Sequence, residues 1–467
     1  MKILIYGINY APELTGTGKY TAEMAALLAR RGHEVRVVCA PPYYPEWRVT
    51  QGYSAWRYRR ETREGVTLWR APLWVPARPG GLKRMLHLAS FAASSLPLIA
   101  RQALWRPDAV MLIAPTLMCA PAALMLARVT GAQAWLHIQD YEVDAAFELG
   151  LLKSSRAARF ARWVERGLLR RFDAVSSITR QMSARAQSKG VAPSRVVCLP
   201  NWVDVSAIFP LERESDYRRE LGLAAGQKVV LYSGNMGAKQ GIETLADAAT
   251  LLADRRDITF VFCGSGAARD DLATRCAGLS NCIFMPLQPV ERLNDLLNLA
   301  DIHVLPQRGD AADLVMPSKL TGMFASGRAT VAMAREGTAL HEAVAPRGVV
   351  VPPDNLNALV GAIAALADDG ERRAALGSAG RHYAVDALSP EATIRTFEER
   401  LEMALRQRVM AADEGRAPGG PGVSGVPGVP GVSGVPGEGP YFAARPAGVA
   451  ATSRRSQAAT AEDAAPD

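Results

Sequence analysis

Cysteine is scarce and never falls at C-x-x-C spacing. Its six occurrences, Cys39, Cys119, Cys198, Cys263, Cys276 and Cys282, lie mostly inside apolar runs. That pattern excludes a disulfide framework and a cysteine zinc site, and it predicts free thiols in a reducing compartment. The opening MKILIYGINYAPE has neither the long apolar core nor the small-residue cleavage site of a secretory leader, so a cytoplasmic protein is expected. Long apolar runs without charge are also lacking, with one exception at residues 109–127 (AVMLIAPTLMCAPAALMLA). Its length meets the criterion for a membrane helix. Pro115 and Pro121 interrupt it, however, and favour a buried strand at 108–116 followed by a helix at 119–130.

What is present suits a large soluble core. The chain has 467 residues, 49% hydrophobic and 21% charged, which at roughly 100–200 residues per domain points to two domains. The net charge of +8 is unevenly placed. Basic residues dominate 48–108. A second cluster, Lys153, Arg156, Arg159, Arg162, Arg166, Arg170 and Arg171, is opposed by Glu165 alone. Arg159, Arg162, Arg166 and Arg170 share one helical stripe, with Phe160, Val164 and Leu168 towards another. This basic amphipathic helix is either a solvated face or an attachment to anionic lipid. No nucleic-acid-binding motif accompanies the charge.

The first half alternates apolar strands with amphipathic helices: Lys2–Tyr6, a helix from about Gly18 to Arg31, Glu34–Cys39, then strands near 67–70, 109–114, 134–139, 174–177 and 195–199. A second series starts at 228–234 and continues through 258–263, 283–285, 302–305 and 330–333. Two doubly wound parallel-sheet lobes follow, with ligands expected outside the carboxyl ends of the strands. The domains are placed at 1–204 and 205–388, with a closing helix at 389–411. Residues 412–467, with glycine at every third position over 419–439, read as a disordered tail too short in triplets for a collagen helix.

The loops after these strands carry the candidate chemistry. Glu13, Gly16, Thr17 and Gly18 lie in a loop of small residues that opens a helix, suited either to an anion or to a plain tight turn. It is neither a Walker A loop nor a dinucleotide fingerprint. His137 and Asp140 end a buried strand; an imidazole titrating near neutrality there could take a proton from a hydroxyl, although a structural histidine is the commoner outcome. No spacing demands a metal. In the second lobe, Gly234, Asn235, Gly237 and Lys239 join a strand to a helix, and Lys239 offers a charge suited to a diphosphate. Gly264 and Gly266 could lie beside a nucleoside. Ser318 and Lys319 begin a further helix that is a candidate anion site.

In this order, YAPELTGTG (10–18), HIQDYEVDAAFELG (137–150), PNWVD (200–204), YSGNMGAKQG (232–241) and MPSKL (316–320) resemble glycosyltransferase family 4 of the GT-B fold, in the branch of the colanic-acid exopolysaccharide glycosyltransferases. The resemblance spans about residues 1–410. It implies two Rossmann-like lobes facing a cleft, with a nucleotide-diphosphate sugar bound by the second and the acceptor by the first. It further implies retaining transfer with no metal or other cofactor. Lys239 and Lys319 would stabilise the leaving diphosphate, His137 would sit near the reacting sugar, and Gly16 and Gly18 beside the phosphates or acceptor. The acceptor implied is a polyprenyl-diphosphate saccharide at the inner membrane face. One departure stands out: many members carry two glutamates eight positions apart, where this chain has Asp310 and Asp313 in the region and Gly322 at the second position. Two other functions fit less well, a nucleotide-sugar 2-epimerase of the same architecture and a non-catalytic assembly protein on the membrane.

Overall fold

A computed structural model describes residues 1–13, 16–78, 80–144, 155–237, 240–308 and 317–414. Lys239, Asp310, Asp313 and the tail from 415 onward lie outside the described residues. Both sheets belong to one compact unit, Met1–Asp413.

The first sheet holds β1 (Lys2–Tyr6), β2 (Glu34–Cys39), β3 (Arg59–Arg63), β4 (Val66–Arg70), β5 (Ala109–Ala114), β6 (Gln133–Ile138), β7 (Ala174–Ser177) and β8 (Val196–Cys198). Their spatial order is β3-β4-β2-β1-β5-β6-β7-β8. Every pairing is parallel except β3 with β4. Apolar runs such as AVMLIA in β5 are buried throughout, as a strand covered on both faces requires. The order reverses between β2 and β5 around β1, so the loops after β1 and β5 flank a topological switch point. The charge-free run therefore divides into β5 and the helix Ala120–Thr130, and no helix among the described residues is long and apolar enough to cross a membrane.

The second sheet holds β9 (Lys228–Ser233), β10 (Ile258–Cys263), β11 (Cys282–Met285), β12 (Ile302–Leu305), β13 (Ala329–Met333) and β14 (Val349–Val351), in the order β11-β10-β9-β12-β13-β14 and parallel throughout. Its switch point lies between β9 and β12. The loop after β9 therefore opens where a ligand should lie.

Two edge strands escaped the sequence pattern. β3 reads RRETR and is mostly exposed, so it carries no apolar alternation; Glu64 and Gly65, both at positive φ (51° and 77°), form the tight reversal that lays it on β4. β14 is only three residues long.

The helix Pro390–Glu414 returns to the first lobe. Ile394, Phe397 and Leu401 are fully buried there with Val35, Val37 and Trp135, and the Phe397 ring meets Trp135 edge-on at 4.7 Å. Glu398 accepts from Arg31 Nε at 2.8 and 2.9 Å and contacts His33 Nε2 at 2.8 Å. Phe397→Ala should destabilise the protein by about 3–5 kcal/mol, the usual cost of emptying a buried aromatic site; equilibrium denaturation read by tryptophan fluorescence measures it.

Candidate active site

The loop after β1 is held by buried polar groups. Glu13 Oε1 accepts the backbone N–H groups of Tyr43 and Tyr44 at 3.0 and 3.1 Å, and Oε2 accepts from Asn9 Nδ2 at 3.0 Å. Burial raises the Glu13 pKa while these bonds pull the other way. Gly18 is glycine because a Cβ there would stand 2.6 Å from Glu13 Oε2. The buried Arg70 adds a second tie, donating to the carbonyls of Ala11 at 2.6 Å and Ala40 at 2.8 Å. Glu13 and Gly18 thus form the inside of the loop, while Gly16, at φ +62°, is exposed and Thr17 half-buried.

His137 ends β6 inside a closed network. Its Nδ1 lies 2.9 Å from Ser176 Oγ, which also accepts from Trp135 Nε1 at 2.8 Å; its Nε2 lies 3.0 Å from Gln139 Nε2. Gln139 and Asn201 exchange two amide hydrogen bonds of 3.0 Å. An amide nitrogen can only donate, so Nε2 accepts, and the proton sits on Nδ1 facing Ser176. Burial pushes the imidazole down to about 4. This corrects the expectation of a histidine titrating near neutrality: an imidazole enclosed among neutral partners loses more from desolvation than it recovers.

The carboxyls that follow behave differently. Asp140 is exposed, yet enough protein surrounds it to raise its pKa, opposed by the Arg84 charge. Glu142 accepts the Leu117 N–H at 2.9 Å, and its Oε1 is buried without a hydrogen-bond partner. Desolvation pushes it up to about 7. The group poised to hold or release a proton at neutral pH is therefore Glu142. Sequence reasoning did not single it out among the neighbouring carboxyls, because only the enclosure of its side chain distinguishes it from them.

In the second lobe, backbone meets backbone. Gly264 (φ +146°) and Gly266 (φ +145°) press the loop after β10 against the loop after β9; a Cβ on Gly264 would stand 2.0 Å from the Gly234 oxygen, and one on Gly266 would stand 2.4 Å from the Met236 oxygen. Gly234 N donates to Cys263 O and Met236 N to Ser265 O, each at 2.8 Å. The alternate N–H groups, those of Asn235 and Gly237, have no acceptor among the described residues.

Lys319, in the first turn of the helix Lys319–Ala325, crosses this loop. Its Nζ donates to Tyr232 Oη at 2.7 Å and to the Asn235 carbonyl at 3.2 Å. Gly234 at φ +120° makes room, since a Cβ there would lie 2.6 Å from Lys319 Cε. Burial lowers the ammonium to about 8, so it remains mostly charged at neutral pH. Tyr232, which donates to the Asn235 carbonyl at 2.6 Å, was not anticipated as a partner. Ser318 stands at the start of the helix without a side-chain cap bond, its carbonyl accepting from Thr321 Oγ1 at 2.9 Å. Gly322 lies on the same helix, where a Cβ would meet Leu297 Cδ1 at 3.3 Å.

Comparison with known proteins follows this division of the chain. Residues 15–202 match the glycosyl transferase 4-like domain, and residues 227–369 match glycosyl transferases group 1. The chain is 45% identical over 412 residues to the putative colanic acid biosynthesis glycosyl transferase WcaI of Escherichia coli K12, covering 85% of this chain and 98% of that protein. Among solved structures it resembles sucrose-phosphate synthase of Thermosynechococcus elongatus (TM-score 0.62, 20% identity, 88% of this chain and 100% of the other). It also resembles Anabaena HepE in complex with UDP (TM-score 0.60, 15% identity, 86% and 100%). At these identities the structures establish the fold, GT-B.

A neutral, Nδ1-protonated His137 has a spectroscopic signature. Its ring nitrogen shifts in two-dimensional NMR should stay constant from pH 8 to pH 5, whereas exposed histidines titrate near 6.5. A His137 midpoint above 6 would refute the closed network.

Proposed function

The chain belongs to the glycosyltransferases with a glycosyl transferase 4-like first domain and a group 1 second domain, and on that premise we propose that it moves a sugar from a nucleoside-diphosphate donor to a lipid-linked saccharide in exopolysaccharide biosynthesis. The observation that carries this is the loop after β9. Half-buried Lys319 lies across it, and the Asn235 and Gly237 N–H groups, which have no acceptor among the described residues, would be available to phosphate oxygens. A diphosphate seated there would take up the electron pair of the breaking sugar–oxygen bond. Lys319 and the two N–H groups would stabilise that charge as the sugar becomes oxocarbenium-like. Lys239 would add to it from the same loop.

The acceptor hydroxyl would approach from the first lobe, beside Asp140 and the loop of Gly16 and Thr17. His137 would act there as a positioning residue, since its ring is fixed by Ser176 and Gln139. Retention of configuration is the outcome this family membership suggests. The acceptor's proton would then pass to the departing phosphate oxygen.

Attachment to the inner membrane face is supported by one side of the first lobe. The helices Gly81–Gln102, Ala120–Thr130 and Ser155–Leu169 bury Phe91, Leu98, Ala123, Leu126 and Leu169 in one core, so all three cover the same face of the sheet. Outward they show Leu82, Met85, Leu86, Met125 and Val129. On Ser155–Leu169 the outward pair is Phe160 and Trp163, 65% and 70% exposed and stacked at 6.0 Å, between Arg159 and Arg166. Glu165, on the opposite side, is buried against Lys189 at 2.5 Å. Exposed aromatics among arginines suit the boundary between headgroups and acyl chains.

Thermal unfolding with UDP, GDP and ADP tests the donor site, since a ligand at about 100 times its dissociation constant adds about 2.7 kcal/mol. One diphosphate should stabilise the protein selectively. Lys319→Ala should weaken its binding roughly 10- to 100-fold, the range for a lost charged hydrogen bond. Wild-type affinity should fall as pH rises through about 8, because the ammonium is present below that value and lost above it. No response to any diphosphate would favour a non-catalytic assembly role, and transfer from a labelled donor separates a transferase from an epimerase.

Membrane attachment has its own test. Replacing Arg159 and Arg166 by glutamine should weaken sedimentation with phosphatidylglycerol vesicles about 30-fold, at about 1 kcal/mol per charge.

A further inference from the structure

A cavity of the first lobe lies outside the proposed nucleotide site. It lies at the carboxyl edge of the first sheet beside β3, has a volume of about 270 Å3, and is lined by Tyr53, Ser54, Arg57, Tyr58, Arg59 and Arg70 among others. Because β3 runs antiparallel to β4, Arg59 stands directly opposite Arg70, an arrangement of like charges that is unfavourable without compensation. Glu61 supplies part of it, contacting Arg70 Nε at 2.7 Å and Arg59 Nε at 3.1 Å. The Tyr53 ring packs against both guanidinium groups, at 4.8 Å from Arg59 and 4.9 Å from Arg70.

These contacts hold the lining in place before any ligand arrives. Arg59 Nη1 donates to the Gly52 carbonyl at 2.9 Å, and Tyr58 Oη donates to the Ser94 carbonyl at 2.7 Å. Arg57 is exposed and has no ion-pair partner among the described residues. Three arginines thus face a single carboxylate, which leaves the cavity positively charged and furnished with unused N–H donors. A group with two or more negative charges and several oxygens is the complement, and arginine forks match phosphate oxygens in geometry.

Position suggests which such group arrives. Arg70 also binds the Ala11 carbonyl, so the cavity adjoins the loop after β1. The helix to which Tyr58 is tied carries the exposed Leu82, Met85, Leu86 and Leu96, and Trp56 is 76% exposed nearby in sequence. We propose that this cavity is a binding site for a phosphate-ester group, and specifically, resting on the acceptor reading given under Proposed function, for the diphosphate of the lipid-linked acceptor.

Calorimetric titration of the full chain with inorganic pyrophosphate, farnesyl diphosphate and phosphatidylglycerol vesicles tests it, in a Lys319→Ala background that weakens the nucleotide site. Adding Arg57→Gln should weaken both diphosphates by tenfold or more with the melting temperature unchanged, because Arg57 is exposed and has no ion-pair partner among the described residues. A loss confined to phosphatidylglycerol vesicles would assign the same cavity to a phospholipid headgroup. Unchanged affinity for all three probes would overturn the proposal. If farnesyl diphosphate binds through Arg57 but no lipid-linked saccharide is ever glycosylated, the cavity stands and the acceptor reading falls.

Discussion

A parallel sheet releases every strand at the same edge, and both lobes are built on that constraint. Strands buried on two faces must be apolar along their length, so polar chemistry is displaced into the loops at their carboxyl ends. Glu13 and the first loop, His137 to Glu142, and the glycines after β9 and β10 all occupy that edge. Because each sheet reverses its order around a central strand, the loops on either side of the reversal diverge and leave a crevice. β1 and β9 stand at those two positions. The antiparallel β3 uses the same constraint differently: it begins where β4 ends, and so brings Arg59 beside Arg70 at the carboxyl edge.

Burial then decides what each polar group can do. Three ionisable groups at this edge, His137, Glu142 and Lys319, are all moved against their charged forms by desolvation, and the consequences differ because their ordinary values differ. His137 drops out of the neutral range and becomes a fixed dipole. Glu142 enters that range from below. Lys319 starts high enough that it keeps its charge while losing much of its hydration, which strengthens its attraction for an incoming anion. Solvent-shielded ammonium beside unspent N–H groups is a stronger anion site than either alone.

The fold was legible in the sequence where burial imposes a period, as in KILIY or ITFVFC, and illegible where it does not, as in β3. The glycines of the second lobe could be picked out because close backbone approach admits no other residue. Their partners could not be. Tyr232 reaches Lys319 across 87 positions, and Asn201 reaches Gln139 across 62, and no local pattern encodes such pairings. Phe160 and Trp163 show the converse: helical spacing separated a basic stripe from an apolar one, but it did not reveal that an aromatic pair stays in solvent among the arginines while the lone acid Glu165 turns inward to Lys189.

If Gly322 stands where the resemblance expects the second glutamate, the electrostatics of the proposed donor side would change with it. A carboxylate on the helix that carries Lys319 would oppose a diphosphate while accepting hydrogen bonds from hydroxyl groups. Without it, the ammonium's field would reach a bound diphosphate undiminished from that helix, and hydroxyl recognition would shift to neutral groups. The Asn235 side chain and the backbone of the loop after β9 would supply such groups at the proposed site. Neutral acceptors bind a hydroxyl less strongly than a carboxylate does, by the difference between an ordinary and a charge-assisted hydrogen bond. On the donor reading proposed above, the chain would exchange grip on the sugar for grip on the diphosphate, a balance suited to a step whose barrier lies in stabilising the leaving group.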